Sequence, residues 1–148
     1  MEKGPGNPDT KGEELMAELA QKAIERLKTL PPPVVRVFGP LTSGGRGYDE
    51  NLRRFNEATR ILREKGYTVF DYFDTDDEER IKEANLPWET VMEYYHRPIL
   101  ETGLISKGFF LPDWESSNGA TWEYALMTAL PNMETEAFPE EWFNKTTD

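Results

Sequence analysis

The side chains in this sequence that could grip an anion or attack a carbon atom gather in two short stretches and one glutamate. The first stretch is Gly39-Pro40-Leu41-Thr42-Ser43-Gly44-Gly45-Arg46-Gly47. Gly39, Gly44, Gly45 and Gly47 let backbone N–H groups come close to a ligand, and Arg46 offers a planar fork that can hold a phosphate or carboxylate in a bidentate way. It is not a Walker A loop, which would end in lysine and a hydroxyl residue, nor a G-x-G-x-x-G fingerprint; a flexible glycine-rich turn is the alternative. The second stretch is Pro112-Asp113-Trp114-Glu115-Ser116-Ser117-Asn118-Gly119. Ser117 and Asn118 are residues of the N-cap type, so a helix should start there and turn its N–H groups, with Gly119 among them, toward the same place. Glu123 falls in the opening turns of that helix. The positive helix end should favour its ionised form, which is the form a carboxylate nucleophile needs. Alone, such a glutamate can equally be a surface residue that stabilises the helix dipole.

Other groups are candidates for lesser roles. Asp71, Asp74 and Asp113 could supply an acid and are otherwise ordinary loop carboxylates. Trp114 either stacks on a flat ligand or plugs its loop. The lone histidine, His96, could donate a proton near neutral pH, although one histidine on a helix is more often structural.

These residues need a scaffold that brings the two loops together. Residues 1–12 are rich in Gly, Pro and charge without periodicity, and read as a disordered tail. Residues 13–30 place Leu15, Met16, Leu19, Ala23, Ile24 and Leu27 at helical spacing, an amphipathic helix ended by Pro31-Pro32-Pro33 and used for core packing or as a partner surface. Residues 31–148 then alternate strand and helix. Val34–Phe38 is the first strand, and Asp49–Lys65 a helix closed by Gly66, which suits a left-handed C-cap. Tyr67–Phe70 is the second strand. Asp71–Asn85 is a solvated acidic connection that could also overhang the site. A helix starting at Pro87 should be kinked or divided by Pro98, and Phe109-Phe110-Leu111 is the third strand, followed by the helix from Gly119 to Leu130. An edge strand near Thr135–Phe138 is pinned by Phe138, Trp142 and Phe143. This alternation predicts a single flavodoxin-like or Rossmann-like α/β domain with a parallel sheet of core order 2-1-3 flanked by helices, plus the extra N-terminal helix. Ligands bind such sheets where strand order reverses, which is where the two loops leave the first and third strands.

Composition narrows the classes. With 28 acidic against 17 basic residues the net charge is −11, so a nucleic-acid polymer or an anionic membrane surface is an unexpected partner, while a small anion is not excluded. The absence of cysteine and the single histidine exclude cysteine-ligated zinc and histidine-rich metal sites, so no metal is expected. Without an apolar span or a signal-peptide pattern, the expected compartment is the cytoplasm.

Three blocks carry a resemblance to a known family: Gly39-Pro40-Leu41-Thr42; Phe55-Asn56-Glu57-Ala58 through Leu62-Arg63-Glu64-Lys65-Gly66-Tyr67-Thr68-Val69; and Leu111-Pro112-Asp113-Trp114-Glu115-Ser116-Ser117-Asn118-Gly119-Ala120-Thr121-Trp122-Glu123-Tyr124-Ala125. Over about residues 34–130 the chain resembles the nucleoside 2-deoxyribosyltransferase superfamily, nearest to its small phage and bacterial branch. The resemblance implies a cofactor-independent enzyme in which Glu123 attacks the anomeric carbon of a nucleoside or its 5′-monophosphate. The base leaves, and the glycosyl ester passes to another base, as in the transferases, or to water, as in the monophosphate N-glycosidases, which are hydrolases. It further implies that Ser117 and Gly44-Gly45-Arg46 hold the 5′-phosphate, and that the chain forms a homo-oligomer. The pattern is incomplete. Ser106 stands where the superfamily has an aspartate, and Arg36-Val37-Phe38 stands where a tyrosine is customary, so the general acid is unassigned. A catalytically impaired nucleotide-binding or sensing module of the same fold is the alternative.

Overall fold

Local sequence signals set most element boundaries in the computed structural model, which describes residues 8–40, 47–70, 80–81 and 83–145. Helix α1 (Pro8–Lys28) precedes strand β1 (Val34–Phe38), helix α2 (Tyr48–Glu64) and the short strand β2 (Thr68–Val69). Helix α3 is continuous from an α-helical start (Trp88–Val91) through a π-helical turn (Met92–His96) to a second α-helical stretch (Arg97–Glu101). Strand β3 (Ile105–Phe110), a 3₁₀ turn (Trp114–Ser116), helix α4 (Asn118–Ala129), strand β4 (Glu134–Ala137) and helix α5 (Glu140–Lys145) complete the order.

All four strands are parallel in the order β2-β1-β3-β4, so the chain is a flavodoxin-like α/β fold with the anticipated 2-1-3 core and an added edge strand. A parallel sheet must be covered on both faces, and here the alternation of β1 divides the cover. Val34 and Phe38 join α1, α3 and Met127 of α4 in one cluster, while Val35 and Val37 join Phe55, Ala58 and Leu62 of α2 in the other. Arg36 lies between Val34 and Phe38 and shares their face.

Several cap and edge signals act as read. Gly66, at φ 100°, closes α2 with N–H bonds from Gly66 to the Arg63 carbonyl and from Tyr67 to the Leu62 carbonyl, the two bonds of a Schellman motif. Phe138 is buried, and Trp142 and Phe143 pack on the same cluster.

Other details depart from the sequence reading. The helix begins at Pro8, not Glu13, so residues 8–12 belong to α1 and not to a loose tail. Gly12 is the reason: a Cβ there would come within 2.5 Å of the Leu86 Cδ2, so close packing offsets the roughly 1 kcal/mol that glycine costs a helix. Pro98 does not divide α3. It sits in the first turn of Arg97–Glu101, after a π turn in which the Arg97 N–H reaches back to the Met92 carbonyl, a widened turn that accommodates the ring and missing donor of proline.

Candidate functional site

A cavity of about 530 Å³ opens at the carboxyl ends of β1 and β3, where the strand order reverses. Strand β1 and its exit supply Arg36 and Gly39, α3 supplies Met92 and His96, and the start of α4 supplies Ser117 and Glu123. Ile81 and Asn85 near the end of the acidic connection, with Leu86 and Trp88 just beyond it, add a largely apolar portion of the wall, while residues 71–79 of that connection lie outside the described residues.

Glu123, His96 and Arg36 are held in mutual contact. The Arg36 Nη2 lies 3.3 Å from the His96 Nδ1 and 3.5 Å from the Glu123 Oε2, and the Nδ1 is 3.4 Å from the same Oε2. Arg36, His96 and Glu123 are only 2%, 4% and 6% exposed, and burial on this scale decides the charge states of His96 and Glu123. Burial pushes the Glu123 carboxyl up to about 7, and Arg36 opposes this without overcoming it. The expectation that the helix end would keep Glu123 ionised is thus corrected. A helix dipole acts within its first turn, whereas Glu123 stands six residues beyond the capping Ser117, where loss of hydration dominates. Burial, and then Arg36, hold His96 well below the usual imidazole range, so its ring is neutral. The Arg36 guanidinium lies above the face of Phe38, its carbon 4.5 Å from the ring centroid. Phe38 is in turn seated by Gly108 of β3, where a Cβ would meet the ring at 2.8 Å.

The Ser117 Oγ accepts the Ala120 N–H at 3.0 Å as the N-cap of α4, which leaves the hydroxyl proton to donate to an anion. At Gly39 a Cβ would come within 2.9 Å of the Leu111 Cβ, so glycine lets the backbone run against β3 at the cavity wall. Gly119 also lines the cavity, beside Met92, while Asn118 is exposed at the first position of α4 and off the wall.

Of the remaining sequence candidates, Gly44, Gly45, Arg46, Asp71 and Asp74 lie outside the described residues. Asp113 is exposed at φ 72°, its carbonyl accepting the Ser116 N–H and hydroxyl, and it does not line the cavity. Trp114 stacks on Tyr124 at 4.7 Å and meets Phe110 edge-on, so it plugs its loop against the core. Ser106 donates to the Val34 carbonyl at 3.2 Å. Among the described residues no cluster of three His, Asp or Glu could hold a metal ion, and no helix is long and apolar enough to cross a membrane.

Arg36 was missed as a site residue and His96 underweighted. The signal for Arg36 is a lone charge inside the β-branched run Val34-Val35-Arg36-Val37-Phe38, a strand that is buried throughout. For His96 it is a place beside Tyr95 on the apolar stripe of α3.

The chain belongs to the family described as Domain of unknown function (DUF4406), whose model matches residues 34–133 and therefore includes Arg36, His96, Ser117 and Glu123. No curated protein and no solved structure matches it.

Proposed function

Taking as premise a family to which no activity is attached, we propose that the cavity binds a (deoxy)nucleoside or its 5′-monophosphate and that Glu123 cleaves or transfers its N-glycosidic bond. The observation that carries this reading is a buried carboxyl on the wall of a ligand-sized cavity, on the helix that follows β3 and is capped by Ser117. The resemblance to the nucleoside 2-deoxyribosyltransferases supports the same assignment. In the proposed reaction a Glu123 oxygen bonds to C1′ as the C1′–N bond breaks, and that electron pair leaves with the base, which takes up a proton. Water or a second base then displaces the glutamate from C1′. The carboxylate is the reactive form. The Ser117 hydroxyl and the N–H groups at the head of α4 face a 5′-phosphate, joined by Arg46 from the glycine-rich loop.

One observation favours a second reading, a nucleotide-binding or sensing module. Among the described residues Glu123 is the sole carboxyl group on the cavity wall, and His96 is held neutral, so those residues offer neither a second carboxylic acid nor an imidazolium to protonate the base. Incubation with a panel of nucleosides and 5′-monophosphates, with base release followed by chromatography, separates the two. The enzyme reading expects base release that Glu123→Ala abolishes. Nucleotide binding that is lost in Arg46→Ala but survives Glu123→Ala, with no base released across the panel, selects the module.

A further inference from the structure

The four tryptophans of the chain have different surroundings. Trp114 stacks on Tyr124, Trp122 lies under the Arg97 guanidinium, and Trp142 packs on Phe109 and Phe138 beneath Lys65. Trp88 is 42% exposed, has neither a ring nor a cation partner among the described residues, and lines the cavity. An indole left in water keeps unrealised the burial and stacking energy that makes aromatic rings strong contacts.

Its support, by contrast, is anchored. Leu86 is seated against α1 at Gly12, where a Cβ would come within 2.5 Å of its Cδ2. Pro87, at φ −56°, caps α3, and Trp88 is the first residue of that helix. Covering the ring therefore takes little ordering of the protein. The cavity grades from this exposed ring to the buried side chains of Arg36, His96 and Glu123. In the proposed reaction Glu123 meets C1′, and Ser117 at the head of α4 meets the phosphate. The base is bonded directly to C1′, so it must lie on a neighbouring wall, and the apolar wall of Leu86, Trp88 and Val91 is the one left for it. Aliphatic side chains alone would take any apolar group there. An indole of two fused rings favours a flat partner of two rings, since stacking strengthens with ring overlap.

We propose that Trp88 is a specificity-determining residue of this cavity: its indole stacks on the base and makes purine nucleotides the preferred ligands over pyrimidine ones. The assignment rests on the nucleotide reading of the cavity and does not require cleavage.

Titration calorimetry on the full chain carrying Glu123→Gln, with Trp88 intact or replaced, measures binding without turnover by that carboxylate. The probes are the 5′-monophosphates of deoxyadenosine, deoxyguanosine, deoxycytidine and thymidine, together with 2-deoxyribose 5-phosphate, which has no base. With Trp88 intact the purine nucleotides should bind more tightly than the pyrimidine ones. Trp88→Ala should weaken the purine nucleotides on the order of tenfold, the pyrimidine ones less and the sugar phosphate not at all, and Trp88→Phe should recover part of the loss. Because the side chain is exposed, both variants should keep the urea midpoint of the parent. Equal weakening of every probe that binds would assign Trp88 to the fold or the shape of the mouth and overturn the proposal. An unchanged preference for purines, or no nucleotide binding at all, would overturn it too. Purine binding that depends on Trp88, with no base released by the wild type from any nucleotide, sinks the glycosidic reading and leaves the stacking role standing. Base release indifferent to Trp88→Ala does the opposite.

Discussion

Replacing Glu123 by glutamine keeps the size of the side chain and an acceptor oxygen for Arg36 while removing the ability to ionise, so its effect on stability must depend on pH. In the folded chain the Glu123 carboxyl is raised from 4.5 to about 7, with burial the larger cause and Arg36 the smaller, opposing one. A raised folded value means that the protonated acid is the form the fold prefers. Its contribution is complete below the unfolded value near 4.5 and is lost as pH climbs through 7. The difference of about 2.5 units, at 1.36 kcal/mol each, makes the loss about 3 kcal/mol. Roughly 2 kcal/mol of it falls between pH 5.5 and 8.5, on the alkaline side of the isoelectric point near 4.6. Glu123→Gln escapes this loss, so it should gain on the wild type by that amount from pH 5.5 to 8.5. His96 is present in both chains, and its contribution cancels in the difference. Urea unfolding of both proteins at four or five pH values measures the difference directly. A difference that does not change with pH, or one that grows toward acid, would falsify the reasoning. The second outcome would mean that the attraction of Arg36 exceeds the cost of burial and that the carboxylate is the native form.

The same carboxyl sets the pH profile of the proposed reaction. Because the carboxylate attacks, kcat/KM for base release should rise with pH through an inflection near 7, and Arg36→Met, which removes the group holding that value down, should move the inflection to higher pH. Ser117→Asp should retain the cap of α4 and its thermal stability while weakening binding of 5′-monophosphates relative to nucleosides, whereas Ser117→Ala should lose about 1 kcal/mol in denaturant titrations. Gly108→Ala should cost 1–3 kcal/mol by the usual scale of overpacking, roughly, because its Cβ meets Met127 and Phe38; a loss of ligand affinity should accompany it as Phe38 shifts beneath Arg36. Gly66→Ala, at φ 100°, should cost about 1 kcal/mol of stability in denaturant titrations without affecting binding, since Gly66 does not line the cavity.

The sequence by itself determined what depends on near neighbours. The strand–helix alternation, the Gly66 cap, the Ser117 cap and the aromatic anchor at Phe138 are each written within a few residues, and from them follow the parallel sheet and the rim on which Glu123 stands. The start of α1 was misread because Gly12 owes its place in a helix to Leu86, more than seventy positions away. Only the tertiary structure decided the state of the site. Arg36, His96 and Glu123 come from a strand and two helices, the first two 60 positions apart, and no local pattern gives the rotation of α3 that turns His96 onto the face of β1 shared by Arg36. Burial is a property of all the surrounding elements at once. It outweighs both the helix end and the arginine, and so turned a glutamate that reads as a ready carboxylate into an acid balanced near neutral pH.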